Sequence, residues 1–190
     1  MSFLTDFFNQ FTSMTPIELT AQGFGTIGLV IMVLSFQFKK NRTLFIMQST
    51  AAFCYVLNFL LIGAWAGALF NLCVLFRGVL FMKNSEKTWK LIAVEGVMIG
   101  SYVFSLFLDH RPIQILLVSL VLVGLITSTY FMWRGETKRI RYCQIFCTSP
   151  FWIAHNVFNF SPPGIICESF NMVSSAVYLA RIRREEKNAK

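Results

Sequence analysis

Seven apolar stretches fill most of this chain: residues 20 to 38, 43 to 62, 64 to 82, 89 to 108, 112 to 133, 140 to 160 and 164 to 182. Each is close to the ~20 residues that a helix rising ~1.5 Å per residue needs to cross ~30 Å of hydrocarbon. A chain of 190 residues with 55% hydrophobic and 14% charged residues and a mean hydropathy of +0.59 cannot build a water-facing exterior, so lipid is its solvent. The expected fold is an all-α integral membrane protein with seven transmembrane helices, and the length leaves room for one membrane domain. Its 21 Phe and 8 Met suit lipid-facing and helix-packing surfaces.

The sixth stretch is the least regular. It follows Arg139, includes Arg141, holds Pro150 in its middle and carries His155, Asn156 and Asn159. Pro150 frees a carbonyl that lipid cannot satisfy, so this helix is expected to face protein or a cavity. A six-span reading would leave the stretch half inserted, but the charged loops argue against it. Lys39, Lys40 and Arg42 follow the first span, Arg77, Lys83, Lys87 and Lys90 the third, Arg134, Lys138, Arg139 and Arg141 the fifth, and Arg181, Arg183, Arg184, Lys187 and Lys190 the seventh. Of the 17 basic residues only Arg111 falls on the opposite side. Cytoplasmic loops retain positive charge, which predicts an external N-terminus, a cytoplasmic C-terminus and therefore an odd number of spans.

Residues 1 to 19 set Phe3, Leu4, Phe7, Phe8, Phe11 and Met14 at helical spacing against Thr5, Asp6, Asn9 and Gln10. That is the pattern of a helix lying in the membrane interface, with a disordered tail as the alternative. No basic residue precedes the Phe-rich stretch, and a cleaved signal peptide is not expected. Topology already explains the net charge of +8. The expected partners are the lipid bilayer, whose anionic headgroups attract the basic loops, and not nucleic acid. Cys54, Cys73, Cys143, Cys147 and Cys167 lie in or beside apolar runs without disulfide or metal-ligand spacing, and are expected to pack as small apolar side chains. No G-x-S-x-G, H-E-x-x-H, Gly-rich phosphate loop or paired carboxylates occur, so no enzyme activity, catalytic residue, metal or cofactor is expected.

Spans one to three and spans five to seven run in the same directions, each with a basic loop and then a short loop without charge. This is a weak parallel repeat, with span four as the linker that two parallel three-helix copies require. The expected division is an N-terminal segment at 1–19, a first bundle at 20–82, a linker helix at 83–111, a second bundle at 112–182 and a cytoplasmic tail at 183–190. Asn71 and Asn171 fall at matching depth, ~10 Å below the outer end of spans three and seven, and Asn58 and Asn156 are matched in spans two and six.

The run Leu57-Asn58-Phe59-Leu60-Leu61-Ile62-Gly63-Ala64-Trp65 with Arg77, and then Trp152-Ile153-Ala154-His155-Asn156 with Glu168 and Arg181, resembles the bacterial inner-membrane YgjV family over roughly residues 20 to 184. That family is similar in layout to the PQ-loop and SWEET carriers, which implies two parallel three-helix bundles joined by a linker helix in a bacterial inner membrane. SWEET carriers hold sugar with one Asn in span three and one in span seven, and Asn71 and Asn171 match those places. The Pro-Gln signature of the superfamily reads Phe36-Gln37 here, with Phe131-Met132 in the second copy, and of the hinge prolines only Pro150 has a counterpart.

Polar side chains at membrane depth are costly and usually face protein or a pathway. The expected function is a secondary carrier or facilitator of a small polar solute, with Asn71, Asn171, Asn58, His155 and Asn156 lining a site between the bundles. A non-transporting receptor of the same fold is the alternative. His155 and Glu168, near the outer ends of adjacent spans, are expected to meet across a vestibule in a proton-linked or structural pair. Arg77, near the inner end of span three, reads as an anchor or a substrate contact. A homo-oligomer is possible on this inventory.

Overall fold

The computed structural model describes residues 13–35, 41–81 and 87–188. Most of the N-terminal segment, Phe36-Gln37, Lys39, Lys40, Lys83, Lys190 and the Arg42 side chain lie outside the described residues. The described chain is all-helical: α1 (Pro16–Ser35), α2 (Asn41–Leu61), α3 (Trp65–Phe81), α4 (Thr88–Leu108) and α5 (Pro112–Trp133). A sixth helix follows in three continuous pieces, α6 (Thr137–Cys143), a π turn (Gln144–Thr148) and α7 (Ser149–Phe158), and then α8 (Pro162–Asn188). Among the described residues α1, α4 and α5 are long and apolar enough to cross a membrane, while Ile46–Leu61 and Trp65–Phe81 are shorter apolar helices.

α1 starts earlier than hydropathy places it, because Thr15-Pro16-Ile17-Glu18 is a capping box. The Thr15 amide and hydroxyl donate to Glu18 Oε2 at 2.7 and 2.8 Å, and the Glu18 amide donates to Thr15 Oγ1 at 3.3 Å. Pro16 sits where a missing N–H costs nothing. Residues 16 to 19 therefore belong to α1 and not to a separate interfacial segment. At the other end, the tail expected from residue 183 is helical as far as Asn188, held to α6 by a Lys138–Glu186 ion pair and by an Arg183 bond of 2.9 Å to the Tyr142 hydroxyl.

α1 packs against α2 and α8, α2 against α3, α3 against α4 and α5, α5 against the whole sixth helix, and α7 against α8. The short turns meet at one end of this array. There Glu18 and Gln22 of α1, Ile62 and Gly63, Arg111, and Phe158, Asn159 and Phe160 enclose a pocket of about 210 Å³. Gly63 takes φ +73° in the α2–α3 turn, a conformation natural only to glycine. Phe160 has φ 48°, and its carbonyl accepts a 3.0 Å bond from Gln22 Nε2 that ties the α7–α8 turn to α1. The core between these helices is built from Phe59, Phe70, Val94, Met98, Val121, Leu125 and Trp152.

Candidate functional site

Gly164, Glu168, Asn171, Ser175 and Leu179 recur at spacings of four, three, four and four, so they line one face of α8. The opposite face exposes Ile166, Phe170, Val173 and Val177, as a lipid-facing surface would. The sixth helix lies against the polar face. Pro150 has no N–H for the Phe146 carbonyl, and just upstream the helix widens so that the Ser149 N–H bonds Gln144 O, five residues back. That wider turn stacks the side chains of Gln144 and Ser149. Gln144 Nε2 donates to Ser149 Oγ at 2.6 Å, and both donate to Glu168 Oε2, at 3.3 Å and 2.6 Å respectively. Asn171 Nδ2 reaches Glu168 Oε1 at 3.4 Å. The carboxylate is therefore held by neutral donors from two helices.

On α3 the inward stripe is Ala66, Phe70, Cys73 and Arg77, opposite the exposed Trp65, Leu72, Phe76 and Val79. Arg77 thus continues a buried stripe, and does not reach for the membrane surface. Its Nη1 donates to Ser128 Oγ at 3.1 Å and Thr129 Oγ1 at 3.0 Å on α5. Arg77 and Glu168 both remain only partly buried. Among the described residues neither belongs to an ion pair; the pairs formed are Arg111–Asp109, Arg134–Glu136, Lys138–Glu186 and Arg139–Glu136.

His155 is fully enclosed, edge-on to Phe59 at 5.7 Å and to Trp152 at 5.4 Å between centroids. A Cβ on Gly67 would lie 2.9 Å from His155 Cε1. The ring's Nε2 is 3.4 Å from Gln114 Nε2, whose amide oxygen accepts from Asn159, while Nδ1 has no hydrogen-bond partner among the described residues. Asn58 is a bridge: its Nδ2 donates to Ala21 O at 2.8 Å, and its Oδ1 accepts from Ser161 at 3.0 Å, joining α1, α2 and the α7–α8 turn with no surface left open. Asn156 is buried against Gly164, with its Oδ1 unpartnered among the described residues.

The expected site residues therefore do not form one group. Asn171 joins Glu168, but Asn71 bonds the Gly67 carbonyl of its own helix at 2.9 Å. The expected meeting of His155 and Glu168 is not formed. Glu168 is held beside Ser149, roughly 9 Å along the helix from His155, which turns toward α3 and α5. Hydropathy missed Gln144, Ser149 and Gln114, and the legible signal for the first two was their place just before the Pro150 break. All five cysteines are free, and Cys54, Cys73, Cys143 and Cys167 are buried, as expected of packing residues.

No curated protein and no solved structure matches this chain. Residues 19–186 match the family model Imp-YgjV, described as bacterial inner membrane protein. With that match extending over nearly all of the all-helical array and its apolar spans, the chain belongs to the YgjV family of bacterial inner membrane proteins.

Proposed function

We propose that this membrane protein is a secondary carrier or facilitator of a small polar solute, working by alternating access between two parallel bundles, α1–α3 and α5–α8, with α4 as the linker. The observation that carries the reading is the polar stripe of α8, with the acidic Glu168 in it, facing a helix that is interrupted by a π turn and a proline. Intramembrane charge and broken helices recur where a pathway needs groups to change partners. The packing is compatible with two related halves. Exchanging α1 with α5 and α3 with α8 turns the α1–α8 contact into the α5–α3 contact, and both are present.

In this reading Asn171 and Glu168 contact solute, His155 and Asn58 hold the helices in register, and Asn71 is a secondary contact. The N-terminus is outside and the C-terminus cytoplasmic. Reporter fusions after Ile62 and Lys190 test the sidedness, and a cytoplasmic signal after Ile62 sinks it. Purified protein in proteoliposomes tests transport: solute that binds without crossing identifies a receptor instead. Asn171→Ala is expected to weaken solute binding by ~1–3 kcal/mol, and Asn71→Ala by less than ~1 kcal/mol, because its amide already has a partner in its own helix.

A further inference from the structure

We propose that the pocket at the short-turn end is a binding site for a small primary-amine cation, and that the solute therefore carries an ammonium group. The inference rests on the carrier reading and names the solute class. The pocket straddles the two halves: α1 and the α2–α3 turn contribute to its lining from one half, and Arg111 and the α7–α8 turn from the other. The proposed topology puts this end outside, where a carrier first meets its solute. Its volume of about 210 Å³ is below the ~300–1,000 Å³ of sites for drug-sized ligands and suits a small metabolite.

The chemistry follows from which polar groups the fold has already used. Glu18 accepts both Thr15 bonds of the capping box through Oε2, and its Oε1 accepts nothing among the described residues. Gln22, only 7% exposed, donates from Nε2 to the Phe160 carbonyl and leaves Oε1 unpartnered among the described residues. Asn159 donates from Nδ2 to His155 O and Gln114 Oε1, and its Oδ1 is likewise without a bond there. The remaining donor is engaged as well: Arg111 gives Nε and Nη2 to Asp109 and lies on the Phe158 ring, so its charge is answered. Glu18 has no such counter-charge, for it joins no ion pair among the described residues. The lining thus presents acceptors and an unbalanced negative charge. An ammonium group brings three donors, no acceptor and a positive charge. A carboxylate would meet further acceptors, and a neutral alcohol would leave Glu18 unanswered. The same inventory recurs on α8. Glu168 joins no ion pair among the described residues, and its neighbours Gln144 and Asn171 direct Nε2 and Nδ2 toward it while their amide oxygens accept no bond there.

The test titrates the full chain by calorimetry in low-salt detergent buffer. The probes are ethanolamine and propylamine, each beside the matched alcohol (ethylene glycol, 1-propanol) and the matched acid (glycolate, propionate), with choline and glycine added. The expected result is binding of the amines at concentrations where the alcohols and acids do nothing. Choline is expected to bind more weakly than ethanolamine, because it has no N–H. Glu18→Gln keeps the capping box, in which Gln serves as Glu does, and removes only the charge. It is expected to weaken amine binding by about 5-fold, an effect that shrinks in 1 M salt because Glu18 is only partly buried. Arg111→Gln removes a like charge from the same pocket and is expected to tighten amine binding by about 2- to 5-fold, an opposite sign that a purely structural role of the two residues would not produce. Absence of amine binding overturns the proposal, as do alcohols or acids that bind as well as the amines, or Glu18→Gln that binds like wild type. Glycine that outbinds ethanolamine and loses that advantage in Arg111→Gln overturns it too, in favour of a zwitterion. Flux in proteoliposomes separates the two readings. An amine that binds without crossing keeps the pocket and overturns the carrier, whereas a solute without an ammonium group that crosses keeps the carrier and overturns the solute class.

Discussion

α3 and α8 each present one inward stripe to their neighbours, and the stripes differ in kind. On α3 it is Ala66, Phe70 and Cys73 before Arg77, filled by volume: Phe70 meets Trp152 edge-on at 6.4 Å, and one flank further on Gly67 lies under His155 and Phe59. On α8 it is Gly164, Glu168, Asn171 and Ser175, filled by hydrogen bonds to the sixth helix, with Arg141 donating to Ser175 at 3.4 Å. A close-packed seam admits no exchange, because any shift opens a void or a clash. A hydrogen-bonded seam can trade a protein partner for a solute group at little change in volume. The second seam is thus the one suited to changing its contacts.

The sharpest way to break this contrast is at two glycines. A Cβ on Gly67 would lie 2.9 Å from His155 Cε1 and from two ring atoms of Phe59, and the rings have nowhere to go. Gly67→Ala is expected to cost about 3 kcal/mol in unfolding measured in detergent, or to prevent folding. The three atoms nearest a Cβ on Gly164 all belong to the Asn156 amide, at 2.7 to 3.0 Å, the end of a side chain. Gly164→Ala is expected to cost about 1 kcal/mol. Equal losses would mean that the α8 seam is as closely packed as that of α3.

The hydrogen bonds of the second seam come next. Ser149→Ala removes the 2.6 Å donor to Glu168 and is expected to cost about 1–2 kcal/mol. A double-mutant cycle with Glu168→Gln should return a coupling of roughly 0.5 kcal/mol or more. A coupling near zero would show that the carboxylate does not depend on the π turn. Pro150→Ala then asks what builds that turn. With an N–H restored the helix is expected to narrow, rotating Gln144 away from Ser149 and lowering the Gln144–Glu168 coupling below about 0.5 kcal/mol.

Much of this was legible in the sequence, and what was not has identifiable causes. The helices and their ends follow from apolar runs and from Gly and Pro at the turns, since lipid leaves few alternatives. α1 starts upstream of its apolar run because a capping box of Thr15 and Glu18 is polar and invisible to hydropathy. Asn71 and Asn171 were matched by depth alone. Depth does not fix the angle around the helix, and Asn171 lies on the inward stripe while Asn71 folds back on Gly67 O. The depth of His155 and Glu168 near the outer ends of adjacent spans does not say which neighbour each one faces: Glu168 bonds Ser149, and His155 turns to Gln114. The π turn that brings Gln144 beside Ser149 is not revealed by periodicity, although Pro150 gives its location.

The smallest effect is expected outside both seams. In the loop between α4 and α5, Arg111 donates through Nε and Nη2 to Asp109 at 2.6 to 3.1 Å, and its guanidinium lies 5.1 Å from the Phe158 ring centroid. Those bonds hold the Asp109 carboxyl below the usual carboxylate range. A carboxyl with a lowered folded value stabilises the protein above its unfolded value of ~3.9, and loses that contribution as pH falls through the folded value. The Arg111 side chain is 58% exposed, against 20% for Asp109. Solvent and salt therefore limit the pair to about 0.2–1 kcal/mol. The difference in melting temperature between wild type and Asp109→Asn should be small and level from pH 5 to 7, shrink below pH ~4, and fall in 1 M salt. If that difference exceeded the loss in Ser149→Ala, or persisted at pH 3, the loop would contribute more to stability than the hydrogen-bonded seam of α8.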